Sequence, residues 1–368
     1  MRVVIAGGGT GGHLFPGMAV AEELKRRDSS IEIMFIGSES GIEARVIPGE
    51  GYPIRLLRTQ GVLGKDLMGK AVALYRMARA TKACMDIYNE AKPDIVIGLG
   101  GYASFAPVAA AKLSGVPVLL MEQNMVPGLA NKVLARIADA VAVTYFESMA
   151  HLPRGKAHRT GNPVRASIMK GDRERALDLF QLDTNRLTVL VLGGSAGASS
   201  INEAVLGSLS ELLDIRDKIQ LLHQTGQRDY ERVRRTIREM GYRAMVAPFI
   251  QQMAEAYAVA DIIISRAGAT TLAEVTAIGK PVILIPYPYA AGHQKVNAKK
   301  LLEIGACRLI DEDTLDGKRL AAEVRELYSS EELRGRMRRQ SRSIGKSDAA
   351  ERVVDLVGTL VRQRETYV

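Results

Sequence analysis

Val3-Val4-Ile5-Ala6-Gly7-Gly8-Gly9-Thr10-Gly11-Gly12-His13 sets an apolar run directly against a glycine-rich turn, and a helical pattern follows. The same opening returns as Leu187-Thr188-Val189-Leu190-Val191-Leu192-Gly193-Gly194-Ser195-Ala196-Gly197. A short apolar run, a turn poor in side chains and an amphipathic stretch are the start of a β-α-β unit. Working outward, strands are expected over 2–6, 31–36, 94–99, 116–121 and 140–144, and again over 187–192, 219–223, 243–246, 261–265, 282–285 and 307–310. Helical patterns fill most of the gaps, which predicts an α/β fold of two doubly wound parallel-sheet domains.

The 368 residues suit two domains of the usual ~150 residues or somewhat more. The first is expected over 1–161 and the second over 166–345, with Thr160-Gly161-Asn162-Pro163-Val164-Arg165 as connector and hinge. A final helical segment over 346–368 follows, and packing back on the first domain is one course open to it. The chain is 47% hydrophobic and 25% charged, which excludes a disordered chain. Its 50 basic against 41 acidic residues leave +9, so an anionic partner is expected. Cys84 and Cys307 are too few for a disulfide scaffold, and a reducing compartment follows. No secretion signal is read at the start, and the uncharged window 95–111 is broken by Gly98, Gly100, Gly101 and Pro107, so no membrane span is expected.

Glycine-rich turns ahead of helices let backbone N–H groups approach a phosphate. Gly7, Gly9 and Gly12 satisfy G-x-G-x-x-G, but no acid ends the second strand to hold a nicotinamide ribose. A nucleoside triphosphatase loop would need Lys and Ser or Thr where His13 and Leu14 stand. Gly193-x-Ser195-x-Gly197 also fits a hydrolase nucleophile elbow, with Asp261 and His293 following in order, but that explains only one of the two turns. Asp311-Glu312-Asp313 reads as a turn and helix cap more readily than as a metal site.

Further strings share one order along the chain: Gly98-Leu99-Gly100-Gly101-Tyr102, Glu122-Gln123-Asn124, Gly161-Asn162-Pro163-Val164-Arg165, Ser265-Arg266-Ala267-Gly268-Ala269, and His293-Gln294 with Asn297-Ala298. From Val4 to about Ile310 the chain resembles the MurG family of N-acetylglucosaminyltransferases. The resemblance implies a GT-B fold of two Rossmann-like domains facing a cleft, with the donor nucleotide held mainly by the second. It implies transfer of N-acetylglucosamine from UDP-N-acetylglucosamine to lipid I, with inversion, giving lipid II. Its donor contacts fall on Thr10, Gly11, Gly12, Asn124, Arg165, Ser195, Ile250, Ala269, Thr270, Thr271, Leu272, Ala273, Glu274 and Gln294. Gly9 and Tyr102 are expected to serve the acceptor.

Displacing UDP requires a base for the attacking hydroxyl and stabilisation of the departing diphosphate. His13 is the expected base, and a helix start with Ser195 and Arg165 takes the place of a metal, so neither metal nor cofactor is expected. A polyprenyl acceptor stays in the bilayer, which makes the cytoplasmic face of the bacterial membrane a partner. Residues 65–82 carry five cations against one acid among apolar residues, the pattern of an interfacial helix. With 5% aromatics and no Trp, no nucleic-acid partner is expected. The alternative readings kept open are another GT-B glycosyltransferase with a different lipid acceptor and a UDP-N-acetylglucosamine 2-epimerase.

Overall fold

The computed structural model describes residues 1–57, 67–194, 196–289 and 292–367. The chain forms two compact units, one of residues 1–165 with 347–368 and the other of residues 166–346.

The first unit runs β1 (Arg2–Ala6), α1 (Gly11–Arg27), β2 (Glu32–Ser38), α2 (Glu43–Gly49), β3 (Ile54–Leu57), α3 (Leu67–Ala91), β4 (Ile95–Gly98), α4 (Phe105–Leu113), β5 (Val118–Glu122), α5 (Leu129–Leu134), β6 (Ala140–Val143) and β7 (Ala157–Arg159). Among the described residues its strands form a parallel sheet in the order β3-β2-β1-β4-β5-β6-β7. Successive side chains of a strand alternate faces, and β1 divides accordingly. Val3 and Ile5 join one core with Leu14, Met18 and Leu24 of α1, while Val4 and Ala6 join another with Cys84, Tyr88 and Val108. With both faces covered, β4, β5 and β6 are buried throughout, which is why they read as unbroken apolar runs.

The second unit runs α6 (Arg173–Phe180), β8 (Leu187–Leu192), α7 (Ser199–Glu211), β9 (Ile219–Gln224), α8 (Tyr230–Glu239), β10 (Ala244–Ala247), α9 (Met253–Val259), β11 (Ile262–Ser265), α10 (Ala269–Ile278), β12 (Val282–Leu284), α11 (His293–Glu303), β13 (Cys307–Leu309), α12 (Gly317–Ser329) and α13 (Glu331–Ile344). Its described strands are parallel in the order β10-β9-β8-β11-β12-β13. The last helix, α14 (Ala349–Tyr367), belongs to the first unit and packs on α1. Val353, Val357 and Leu360 lie buried in its core, and Arg27 pairs with Asp355 at 2.5 Å.

In each sheet the strand order reverses at one place, between β1 and β4 and between β8 and β11. Chains leaving two neighbouring strands in opposite directions open a crevice at their carboxyl ends, where doubly wound folds bind ligands. The glycine-rich turns follow β1 and β8, so both sit at these crevices. Two strands escape the apolar pattern. β3 and β7 are edge strands, and the three residues of β7, Ala157, His158 and Arg159, are all at least partly exposed, so neither offers an apolar run.

Candidate active site

In the first unit the turn after β1 passes through Gly7, Gly8 and Gly9 with φ of 127°, 142° and 86°, a region closed to most side-chain-bearing residues. Helix α1 begins at Gly11 with Thr10 as its N-cap and no acidic residue in its first turn. Gly9, Thr10 and Gly12 are exposed, and a Cβ added at Gly9 would meet nothing within 4 Å among the described residues. The Gly9 N–H, however, already donates to Glu43 Oε2 at 2.8 Å. Gly9 therefore presents an open Cα face to a ligand while its N–H is spent inside the protein.

His13 is the third residue of α1, with Nδ1 3.1 Å from Thr10 Oγ1. Gly100, at φ 95°, comes so close that a Cβ there would sit 3.0 Å from His13 Cδ2. Burial lowers the imidazole pKa below its ordinary value, while the Glu122 and Glu43 carboxylates pull the other way. Glu122 ends β5 with 2% exposure. Its Oε1 accepts from Asn124 N at 2.9 Å and Asn124 Nδ2 at 3.2 Å, and its Oε2 from Gly128 N at 3.0 Å and Asn131 Nδ2 at 2.9 Å. Asn124 is thus fixed by Glu122. Tyr102 follows Gly100-Gly101 and is 43% exposed.

The Arg165 guanidinium stacks on the Phe15 ring of α1, 4.6 Å from its centroid, and its buried Nε has no hydrogen-bond partner among the described residues. The expected hinge charge is thus held against α1. Asn162 is 3% exposed, with both side-chain polar atoms lacking a partner among the described residues.

In the second unit Ser195 lies outside the described residues. Around it, Gly197 and Gly226, both at φ 79°, pack back to back: a Cβ on Gly197 would strike Thr225 O and one on Gly226 would strike Ala196 O. These glycines serve loop packing, whereas Gly194 at φ 88° faces open space. Gln224 ties the region together, donating to Gly194 O at 2.9 Å and accepting from Ile250 N at 2.9 Å. Ile250 is 2% exposed with its N–H committed, so little beyond its carbonyl and a small apolar edge is left for a base.

Helix α10 starts at Ala269 after Gly268, with no side-chain cap and no acid in its first turn, which leaves its positive end unneutralised from within. Ala269 and Thr270 are buried, and Thr271 and Ala273 are half-buried. Leu272, also expected among the donor contacts, is 2% exposed and its N–H donates to Gly268 O at 2.9 Å. Glu274 is 8% exposed and accepts from Tyr257 OH at 2.7 Å, unlike a solvated helix carboxylate. Gln294 Oε1 accepts from Ala267 N at 3.1 Å and Tyr287 N at 2.9 Å, so its carbonyl pins two loops.

The hydrolase alternative fails on placement. Asp261 precedes β11, at the amino end of the sheet, where it accepts from Thr188 N at 2.8 Å and pairs with Arg173 at 3.2 Å. The turn carrying Ser195 leaves the opposite, carboxyl end. In the acidic run Glu312 pairs with Arg266 and Asp311 with Lys295, the latter at 2.8 Å. Among the described residues no group of three or more His, Cys, Asp or Glu is arranged to hold a metal ion.

Residues 3–143 match the glycosyltransferase family 28 N-terminal domain and residues 188–353 the family 28 C-terminal domain. The chain belongs to glycosyltransferase family 28. Within family 28 it is 47% identical over 365 residues to the UDP-N-acetylglucosamine–N-acetylmuramyl-(pentapeptide) pyrophosphoryl-undecaprenol N-acetylglucosamine transferase of Thermodesulfovibrio yellowstonii, covering 99% of this chain and 100% of that one. The crystal structure of Acinetobacter baumannii MurG aligns at a TM-score of 0.74 and 30% identity, over 97% of this chain and 99% of that one. A Neisseria meningitidis UDP-GlcNAc 2-epimerase aligns at 0.69 and 16% identity, over 98% and 100%, which is likeness of fold alone.

Sequence reasoning had not singled out Glu43 or given Glu122 a role. Glu122 did leave a signal, a carboxylate ending the apolar run Val118-Leu119-Leu120-Met121. Glu43 left none, because its partners are the backbone N–H groups of Gly9, in the turn after β1, and Ser38, at the end of β2.

Proposed function

We propose that the chain is an inverting glycosyltransferase that moves N-acetylglucosamine from UDP-N-acetylglucosamine to lipid I, giving lipid II of peptidoglycan synthesis. The observation that carries this reading is the full-length 47% identity to a transferase whose name states that reaction. The donor diphosphate lies against the start of α10 and the turn after β8, with Ser195 and Arg165 adding donors. Glu274, oriented by Tyr257, accepts from ribose hydroxyls, the Gln294 amide serves the sugar, and Ile250 touches uracil. Thr10, Gly11, Gly12 and Asn124 complete the donor contacts, and Gly9 and Tyr102 meet the acceptor.

His13 takes the proton of the acceptor hydroxyl as that oxygen bonds to the anomeric carbon. The bond from that carbon to the UDP oxygen breaks on the opposite face, and the electron pair leaves with UDP. Burial favours this role, since a lowered pKa keeps the imidazole neutral near pH 7.

The acceptor's lipid calls for an apolar, basic surface, and the first unit has one. On α3, Val72 is 43% and Tyr75 64% exposed beside exposed Arg76, Arg79 and Lys82. Residues 65 and 66 of the expected interfacial segment lie outside the described residues. Sequence reading missed a second stripe: Leu129 and Val133 on α5, and Ile137 just beyond it, are 59%, 38% and 43% exposed, interleaved with Lys132 and Arg136. No described helix is long and apolar enough to cross a membrane. These surfaces suit peripheral docking on anionic lipid at the cytoplasmic face.

The test is radiolabelled UDP-N-acetylglucosamine with a lipid I analogue. Label moving to the lipid fraction, with UDP-glucose a poor donor, supports the reading. Unlabelled lipid together with epimerised nucleotide sugar would favour the 2-epimerase instead.

A further inference from the structure

We propose that Glu43 is a positioning residue of this transferase: its carboxylate is the built-in anion of the first glycine-rich turn, and it holds Gly9, Thr10 and His13 in register for proton transfer. The proposal rests on the reading of His13 as the base.

Glu43 opens α2 and is 1% exposed. Its Oε2 accepts from Gly9 N and its Oε1 from Ser38 N, both at 2.8 Å, so one carboxylate clamps the turn after β1 to the end of β2. Three glycines make room for it. A Cβ on Gly8 would lie 2.6 Å from the Glu43 carboxyl carbon, and Cβ atoms on Gly37 and Gly41 would run into the same side chain. A buried acid so enclosed, bonded to main-chain N–H groups, fixes loop shape far more than it adds net stability. The glycine pattern that invites a phosphate is, at Gly9, a fitted seat for this carboxylate.

The seat connects to the base through consecutive residues. Gly9 precedes Thr10, the N-cap of α1, and Thr10 Oγ1 lies 3.1 Å from His13 Nδ1. An Nδ1–H donated to Thr10 leaves Nε2, on the Gly100 side, as the nitrogen that takes a proton. Two carboxylates bias that imidazole, Glu122 from the end of β5 and Glu43 from α2, while the Arg165 cation lies over Phe15 of the same helix. Glu43 is thus tied to His13 both through the loop and through its charge.

The experiment compares full-length wild type, Glu43→Gln and Glu43→Asp. Gln keeps the size but loses the charge and one acceptor; Asp keeps the charge but is too short to span both donors. Three readouts are taken: the His13 imidazole titration by NMR, resolved among the five histidines, the Gly9 amide exchange rate, and kcat with donor KM. For Glu43→Gln the His13 midpoint moves down, Gly9 exchanges about tenfold faster, and kcat falls about tenfold or more with donor KM within about twofold. For Glu43→Asp, Gly9 exchange also rises but the His13 midpoint stays nearer wild type. Unchanged His13 titration and Gly9 exchange in Glu43→Gln would overturn the proposal, as would a kcat loss that only tracks a lower folded fraction. If the Gln variant fails to fold, the Asp variant decides: unaltered Gly9 exchange rejects the clamp. The NMR readouts need no substrate, so failure of the transfer reading and failure of the Glu43 reading are told apart.

Discussion

Tyr257 of α9 donates its hydroxyl to Glu274 Oε2 of α10 at 2.7 Å, with both residues buried. A hydroxyl that holds a carboxylate in place spares the ligand the cost of ordering it. Tyr257→Phe removes the bond and little volume. We expect UDP affinity, measured by calorimetry, to fall about threefold to tenfold, with kcat at saturating donor nearly unchanged. Wild-type affinity in the variant would mean Glu274 needs no such support.

His13→Ala is expected to lower kcat by about a hundredfold or more while UDP affinity holds. The sign of the pH dependence follows from burial. A base works when neutral, and desolvation holds this imidazole below its ordinary pKa, so activity is lost only as pH falls through a midpoint under the 6.5 of a free histidine. A kcat/KM profile whose acid limb lies above 6.5 would reject the assignment.

Legibility followed burial. The central strands read clearly because both faces are covered, whereas β3 is interrupted by exposed Arg55 and β7 is the short, partly exposed Ala157-His158-Arg159. Glycine-rich turns were visible, but not their division of labour: Gly197 and Gly226 pack against each other, Gly8 accommodates Glu43, and Gly194 and Gly9 face open space. The stacking of Arg165 on Phe15 joins residues far apart in sequence, so no local pattern announces it.

His223 supplies an acid-stability prediction. It is fully buried, with Nε2 2.9 Å from Asn202 Oδ1, and burial pushes its pKa down to about 3. The unfolded chain binds that proton near 6.5, so stability is full above this value and drains away as pH falls toward about 3. In urea melts between about pH 6 and 4.5, His223→Gln should show a slope shallower by about 1.4 kcal/mol per pH unit. Parallel slopes would refute this.

The docking surface is tested with vesicles. Replacing Leu129, Val133 and Ile137 with Ser should weaken binding to anionic vesicles about tenfold or more, with UDP affinity intact. Raising salt should weaken the wild type as well. Equal vesicle binding by the triple variant would move the docking face elsewhere.

Amide hydrogen exchange of the full chain with and without UDP tests the placement of the donor most directly. Protection at Gly193 to Gly197, Ile250 and Ala267 to Glu274 is the predicted result. Protection confined to Gly7 to Gly12, or absent from the start of α10, would contradict it.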